Sequence, residues 1–303
     1  MRNFKFLVSL ITSDNDYQAE QANSAQEAAR KLGVDAQIVF ADNDAITQSS
    51  QILRVVQAVE KERPHGVIFE PVGATALPQV ARAAVDAGIG WAVLNRDASY
   101  ISEIRSTSKV PIFGVSADQV EVGRLAARQC AALLPRGGSI LYIAGSSQNS
   151  VAKEREIGFR EVIPSNLHMT VLRGQWTEES AVRAVRSWLN LSTSRKTILD
   201  LLVSQNDAMA IGARKGFEEM SNELDRERLL AIPYLGCDGV PKTGQSWVRS
   251  GLLTATILTP PNAGLALEML VEALETKKVL PERVFTVVSS IPALESLRGA
   301  NKR

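Results

Sequence analysis

Residues 5–33 read KFLVSLITSDNDYQAEQANSAQEAARKLG, and the change of pattern inside them decides the fold. Phe6 to Ile11 form an apolar run of strand length, whereas Ala22, Ala25, Ala28, Ala29 and Leu32 recur at helical spacing on one face, with Gly33 placed to end the helix. A strand therefore hands over to a helix within a few residues. The same alternation continues through AQIVF (36–40) and AITQSSQILRVVQAVEKE (45–62), then GVIFE (66–70) and ATALPQVARAAVDAG (74–88), and GWAVL (90–94) closes the series.

The second half repeats the scheme with SILYIAG (139–145), MTVLRGQW (169–176), ILDLLVSQ (198–205) and AIPYLGCD (231–238), each followed by a helical pattern. Strand alternating with helix predicts parallel sheets covered on both faces, and two such halves predict two doubly wound α/β domains. STSKVPIFGVSAD (106–118) interrupts the pattern and is the candidate crossover. A third block, LLTATIL (252–258), NAGLALEMLVEALETKK (262–278) and RVFTVV (283–288), resumes after the second domain looks complete. The chain is thus expected to return to the first domain and to cross more than once. Residues 292–303 read as a solvated tail.

With 303 residues, 45% of them hydrophobic, the chain can bury two cores. Its 34 Lys and Arg against 33 Asp and Glu give a net charge of +1, which supplies no footprint for DNA, RNA or an anionic membrane surface. A small neutral or modestly charged partner is expected, with no nucleic acid. Cys130 and Cys237 stand in no metal or redox spacing and read as free thiols, so neither a metal nor a cofactor is expected. The apolar run of Phe6 to Ile11 is shorter than the core of a signal peptide, so the sequence as given carries no export signal.

In doubly wound sheets ligands bind beyond the carboxyl ends of the strands. The residues just past each apolar run are Ser13, Asp14, Asn15, Asp16 and Tyr17, then Glu70, then Asn95, Arg96 and Asp97 in the first half. The second half contributes Arg155 near a helix start, then Gln175 and Trp176, then Gln205, Asn206 and Asp207, then Cys237 and Asp238. Amides, carboxylates and guanidinium forks bind neighbouring hydroxyls, and flat aromatic rings pack on the C–H faces of a sugar, so this is a polyol-binding set. Taken singly, Asn15, Asp97 and Asp207 also fit helix caps, Arg96 and Arg155 fit surface ion pairs, and Tyr17 and Trp176 fit ordinary packing aromatics. Their shared placement favours a binding role.

At these residues the sequence resembles the sugar-binding branch of the type I periplasmic substrate-binding proteins, the ribose-binding-protein-like family that feeds ABC transporters. The stretches that carry the resemblance include SDNDYQAEQANSAQEAARKLG, GVIFEPVGATAL, VLNRDA, SADQVEVGRLAA, SVAKEREIGFR, SQNDAMAIGA and LGCDGVPKTG, in that order. The resemblance implies two lobes, 1–117 with 260–288 and 118–259 with 289–303, joined by a hinge of three segments near Ser116 to Asp118, Leu258 to Pro260 and Val287 to Ser289. It implies ligand contacts at Asn15, Tyr17, Asn95, Arg96, Arg155, Trp176, Asn206 and Asp238, beside which Glu70 is a further candidate. It also implies a membrane permease as partner, a monomeric state and a periplasmic location, with the cytoplasm as the alternative. Three positions depart from the family pattern: Asn95 stands for an aspartate, Cys237 for an aromatic residue and Thr259 for a glutamine.

The same fold forms the effector domain of LacI-type repressors, so a cytoplasmic ligand sensor is the competing reading. Catalysis has little support. His65 and His168 lie outside the strand-end set, AGSSQNS lacks nucleophile-elbow spacing, and Asp97, Asp207 and Asp238 are the sole acid–base candidates for glycoside chemistry.

Overall fold

The computed structural model describes residues 4–300 except 74–76, 97 and 193–197. The chain divides into two compact units, Met1–Ala117 with Pro260–Thr286 and Asp118–Thr259 with Val287–Arg303. It therefore passes between them three times, after Ala117, after Thr259 and after Thr286.

Elements are numbered in chain order. The first unit holds strands β1 (Lys5–Leu10), β2 (Asp35–Phe40), β3 (Gly66–Phe69), β4 (Gly90–Leu94), β5 (Ile112–Ala117) and β11 (Arg283–Thr286), with helices α1 (Asp16–Leu32), α2 (Ala45–Val56), α3 (Pro78–Asp86), α4 (Ile101–Thr107) and α11 (Ala263–Thr276). Its six strands form one sheet in the order β11-β5-β4-β3-β1-β2, and every neighbouring pair is parallel. Alternate strand residues serve opposite faces. Phe6, Val8, Leu10, Ile68 and Ala92 pack under the alanine face of α1 and under Ala266, Leu267 and Leu270 of α11. Leu7, Val67, Phe69, Trp91 and Val93 pack on the other face, against Ile52, Val80, Ala84 and Ile101.

The second unit holds β6 (Gly138–Ala144), β7 (Leu167–Arg173), β8 (Leu201–Ser204), β9 (Tyr234–Leu235), β10 (Thr256–Leu258) and β12 (Ser289–Ile291). Its helices are α5 (Gln119–Leu133), α6 (Ser150–Val162), α7 (Glu178–Leu189), α8 (Asp207–Glu218), α9 (Glu223–Leu230), α10 (Gly244–Arg249) and α12 (Leu294–Ala300). Four of these strands form a parallel sheet ordered β7-β6-β8-β9, while β10 and β12 make a separate antiparallel pair. Leu141, Ile143 and Leu202 face α7 and α8, and Ile140, Tyr142 and Val203 face α5 and Phe159 of α6.

Two segments differ from the sequence reading. The candidate crossover at 106–118 contains β5, a buried strand of the first sheet, so the passage itself is confined to its last residues. The supposed solvated tail contains α12, whose Leu294 and Leu297 join the apolar cluster beside α5. Leu297 is buried, which a free tail would not achieve.

Helices α5 and α6 cross where both lack side chains. A Cβ on Gly123 would fall inside contact distance of the Arg155 carbonyl, and one on Gly158 inside that of the Val120 carbonyl. In a free helix Gly→Ala gains about 1 kcal/mol. Here the backbone collision dominates, and Gly158→Ala is expected to destabilise the second unit by ~2–3 kcal/mol. Urea unfolding followed by tryptophan fluorescence checks this; a stabilised variant contradicts the reciprocal glycine contact.

Candidate functional site

The first unit gathers its polar residues beyond the carboxyl ends of β1, β3 and β4. Asn15 is the N-cap of α1, its side-chain oxygen accepting from the Tyr17 N–H at 2.9 Å and the Gln18 N–H at 3.2 Å. That cap fixes the start of the helix and so aims Tyr17 and Gln18. Glu70 and Asn95 continue the ladder just past their strands, with the Glu70 N–H on the Ser9 carbonyl and the Asn95 N–H on the Val115 carbonyl. Their side chains meet: Asn95 Nδ2 donates to Glu70 Oε2 at 3.1 Å, and Gln18 Nε2 donates to the same oxygen at 2.8 Å. Asn95 Nδ2 also lies 3.5 Å from the Tyr17 hydroxyl, which donates to the Pro260 carbonyl at 3.2 Å. Glu70 and Asn95 are 5% exposed, so a carboxylate and an amide have left water only because these partners replace it. Arg96 follows, half-buried. Asp97 lies outside the described residues.

The second unit builds its cluster around Arg155, on the buried face of α6. Its Nε donates to Gln119 Oε1 at 2.8 Å, its Nη1 donates to the Gln205 carbonyl and stands 3.9 Å from Asp238 Oδ1, and its Cζ lies 5.8 Å from the centre of the Trp176 ring. Gln205 is held as firmly: its Oε1 accepts from the Gly145 N–H, and its Nε2 donates to the Tyr142 hydroxyl and to the Ala152 carbonyl, each at 2.8 Å. Asn206 caps α8 by accepting from the Met209 N–H, and its Nδ2 donates to the Trp176 carbonyl, both at 2.9 Å. The Trp176 ring lies against Gly145, where a Cβ would collide with it, and the indole N–H is buried with no partner among the described residues.

Three residues of these clusters share with Asp42, Asn43, Leu77 and Lys277, which lie outside them, a positive φ. Asn95, Trp176 and Asp238 adopt φ of 57°, 67° and 106°, the left-handed region in which a side chain costs about 1–3 kcal/mol. Each is a residue singled out from sequence, and glycine occupies none of the three positions. Such strain persists where the surroundings over-determine a conformation, which fits residues aimed at a ligand.

Asp207 is a buried carboxyl in a glycine cage. Thr256 Oγ1 donates to its Oδ1 at 2.6 Å and the Gly239 N–H to its Oδ2 at 2.8 Å, while a Cβ on Gly236 or Gly244 would strike it. Burial, and after it the Asp238 charge, hold the Asp207 carboxyl well above the usual carboxylate range despite those two hydrogen bonds. Burial likewise pushes the neighbouring Cys237 thiol up to about 12, so it stays a neutral packing group. His65 is structural: its Nδ1 accepts from the Lys5 N–H at 3.1 Å and its ring packs on Phe4.

Tyr17, Glu70 and Asn95 therefore share one hydrogen-bonded cluster, with Asn15 capping the helix that carries Tyr17, and Arg155, Trp176, Asn206 and Asp238 share another. Gln18, Gln119, Gln205, Thr256 and Asn262 hold these clusters together, and of these five residues Gln205 alone stood in the strand-end set read from the sequence. Their signal was the placement of an amide on an apolar helix face, as for Gln18 and Gln21 beside Ala22 and Ala25.

Two such units, each a parallel sheet with charged and amide groups at its strand ends, define a binding protein of the bilobal periplasmic class. Residues 6–278 match the model of the periplasmic binding protein domain, and the chain belongs to that family. It is 23% identical to the galactofuranose-binding protein YtfQ of Escherichia coli (strain K12), over 93% of this chain and 86% of that one. It is 24% identical to the ribose import binding protein RbsB of Bacillus subtilis (strain 168), over 92% and 84%. A solved galactofuranose binding protein superposes with a TM-score of 0.81 at 21% identity, over 99% of this chain and 98% of that one. These relatives are binding proteins rather than enzymes, which bears out the expectation of a solute-binding receptor over that of a repressor-type sensor.

A raised folded-state pKa at Asp207 means that its contribution to stability is complete below the unfolded value and is lost as pH rises through the folded one. Asp207→Asn removes that titration. Relative to the parent, the variant's unfolding midpoint is expected to rise as pH increases above roughly 4, since an unfolded aspartate ionises near 3.9 and the folded carboxyl stays neutral to higher pH. Thermal unfolding across that range checks it; a pH-independent difference contradicts the neutral carboxyl.

Proposed function

We propose that the protein is the solute receptor of an ABC-type importer and binds one sugar or related polyol, held jointly by the strand-end groups of both units as they close around it. The observation that carries this reading is that the strand ends of both units hold buried carboxyl, amide and guanidinium groups fixed by hydrogen bonds, with Asn95, Trp176 and Asp238 in the left-handed backbone region. Asn15, Tyr17, Glu70, Asn95 and Arg96 would serve from the first unit, and Arg155, Trp176, Asn206 and Asp238 from the second. The names of the relatives, galactofuranose- and ribose-binding proteins, support the same ligand class. A closed receptor recognised by a membrane permease, acting as a monomer in the periplasm, completes the proposal.

The charges favour an uncharged ligand. Arg155 already has Asp238 at 3.9 Å, so an anionic sugar would find this guanidinium partly balanced. Thermal-shift measurements over D-ribose, D-galactose, myo-inositol, D-gluconate and D-ribose 5-phosphate test the proposal. A neutral polyol at 100 times its dissociation constant is expected to stabilise the fold by about 2.7 kcal/mol. No shift with any neutral sugar or cyclitol, beside a clear shift with the acid or the phosphate, would overturn the neutral class.

For a polyol so identified, Arg155→Ala is expected to weaken binding by ~1.5–3 kcal/mol, the range for a charge-assisted hydrogen bond. Titration calorimetry reads it directly. Unchanged affinity removes Arg155 from the contacts.

A further inference from the structure

The polar cluster of the first unit does not end at its strand tips. Asn262, 0% exposed, donates from Nδ2 to Asn95 Oδ1 at 2.6 Å and accepts the Thr286 hydroxyl on its own Oδ1 at 2.9 Å. Its backbone N–H and that of Ala263 both bond Gln21 Oε1 at 2.8 Å, which anchors the start of α11 on α1. Pro260, two residues before Asn262, accepts the Tyr17 hydroxyl at 3.2 Å. Thr286 pairs in register with Ala117. Pro260, Thr286 and Ala117 are the residues at which the chain enters or leaves this unit.

The direction of every bond in this chain follows from one group. Glu70 Oε2 accepts from both Gln18 Nε2 and Asn95 Nδ2, so Asn95 turns Nδ2 toward Glu70 and Oδ1 toward Asn262. Asn262 must then offer Nδ2 to Asn95, which turns its Oδ1 toward Thr286, and the threonine hydroxyl must donate. The other branch runs from Asn95 Nδ2 to the Tyr17 hydroxyl and on to the Pro260 carbonyl, closing a ring through the chain from Pro260 to Asn262. Reversing any single amide would set two acceptors face to face in a buried site, and each such conflict is far more costly than a missing surface bond.

We propose that Asn262 is a positioning residue that locks the strand-end cluster of Tyr17, Glu70 and Asn95 to both return passages of the chain, so that the ligand-facing geometry of the first unit and the setting of the hinge are one linked state. Asn262 itself touches no ligand in this scheme. A change at Asn95 is transmitted through one carboxamide to Thr286 and through Tyr17 to Pro260. The use of the linkage in domain closure rests on the receptor reading above, whereas the linkage itself is tested without any sugar.

Dyes on Val279→Cys and Leu224→Cys, at residues 83% and 80% exposed in the first and second units, report the distance between units in the full chain, while Cys130 and Cys237 are buried and stay unlabelled. Single-molecule energy transfer on the ligand-free protein is expected to give a broader distance distribution in Asn262→Ala and in Thr286→Val than in the parent. Thr286→Val removes one hydroxyl at constant shape, so it carries the test even where Asn262→Ala folds poorly. A purely packing role for Asn262 leaves the Thr286→Val distribution unchanged, and that result overturns the proposal.

A second measurement follows the coupling. Thr286 and Asn95 share Asn262 as a partner, so Thr286→Val and Asn95→Ala are expected to be non-additive by roughly 2–4 °C in unfolding midpoint. That coupling should vanish in Asn262→Ala. Simple additivity in the parent also overturns the proposal. Failure of D-ribose or myo-inositol to bind bears on the receptor reading alone.

Discussion

A guanidinium held at 6% exposure is the constraint on which the second unit depends. Arg155 is kept out of water only because Gln119, the Gln205 carbonyl and Asp238 supply acceptors and charge, with the Trp176 face closing one side. Those partners come from α5, from the ends of β8 and β9, and from the loop after β7. Satisfying one cation thus fixes the mutual placement of most of the elements that meet at this end of the sheet. The glycine crossing of α5 and α6 belongs to the same arrangement, since Gly123 rests on the carbonyl of Arg155 itself. Close backbone approach brings Gln119 and Arg155 within hydrogen-bond reach.

The first unit buries a carboxyl group in the same way. Glu70 is as buried as Arg155, and its carboxylate orders the amides of Gln18 and Asn95 around it. Here Asn95, where the family pattern has an aspartate, changes the chemistry. A second carboxylate beside Glu70 would repel it, whereas an amide donates to it and still accepts from Asn262. In this chain Asn95 is therefore engaged on both sides of its carboxamide.

Much of this was legible in the sequence because a parallel sheet changes period abruptly. GVIF and GWAVL are buried at every position, so they appear as unbroken apolar runs, and the first polar residue after each is the one at the strand tip. Glu70, Asn95, Asn206 and Asp238 were found that way. β5 was harder to see, since Lys109, Pro111 and Gly114 carry turn character, and its place beside β11 depends on a return of the chain that no local pattern encodes. α12 was hidden by brevity: its charges suggest solvent, and among its described side chains Leu294 and Leu297 reach the core. The supporting amides were least visible. Gln48, Gln129 and Asn262 have the composition of surface residues, yet each is fully buried and satisfied or nearly so by backbone and side-chain partners.

The central claim is that the polar groups of the two units act together on one polyol. Small-angle X-ray scattering of the protein, recorded as the neutral sugar or cyclitol that stabilises it is titrated to saturation, tests this most directly. The account predicts a decrease in radius of gyration that saturates at one ligand per chain and disappears in Asp238→Ala. A bound polyol that leaves the radius of gyration unchanged would contradict it.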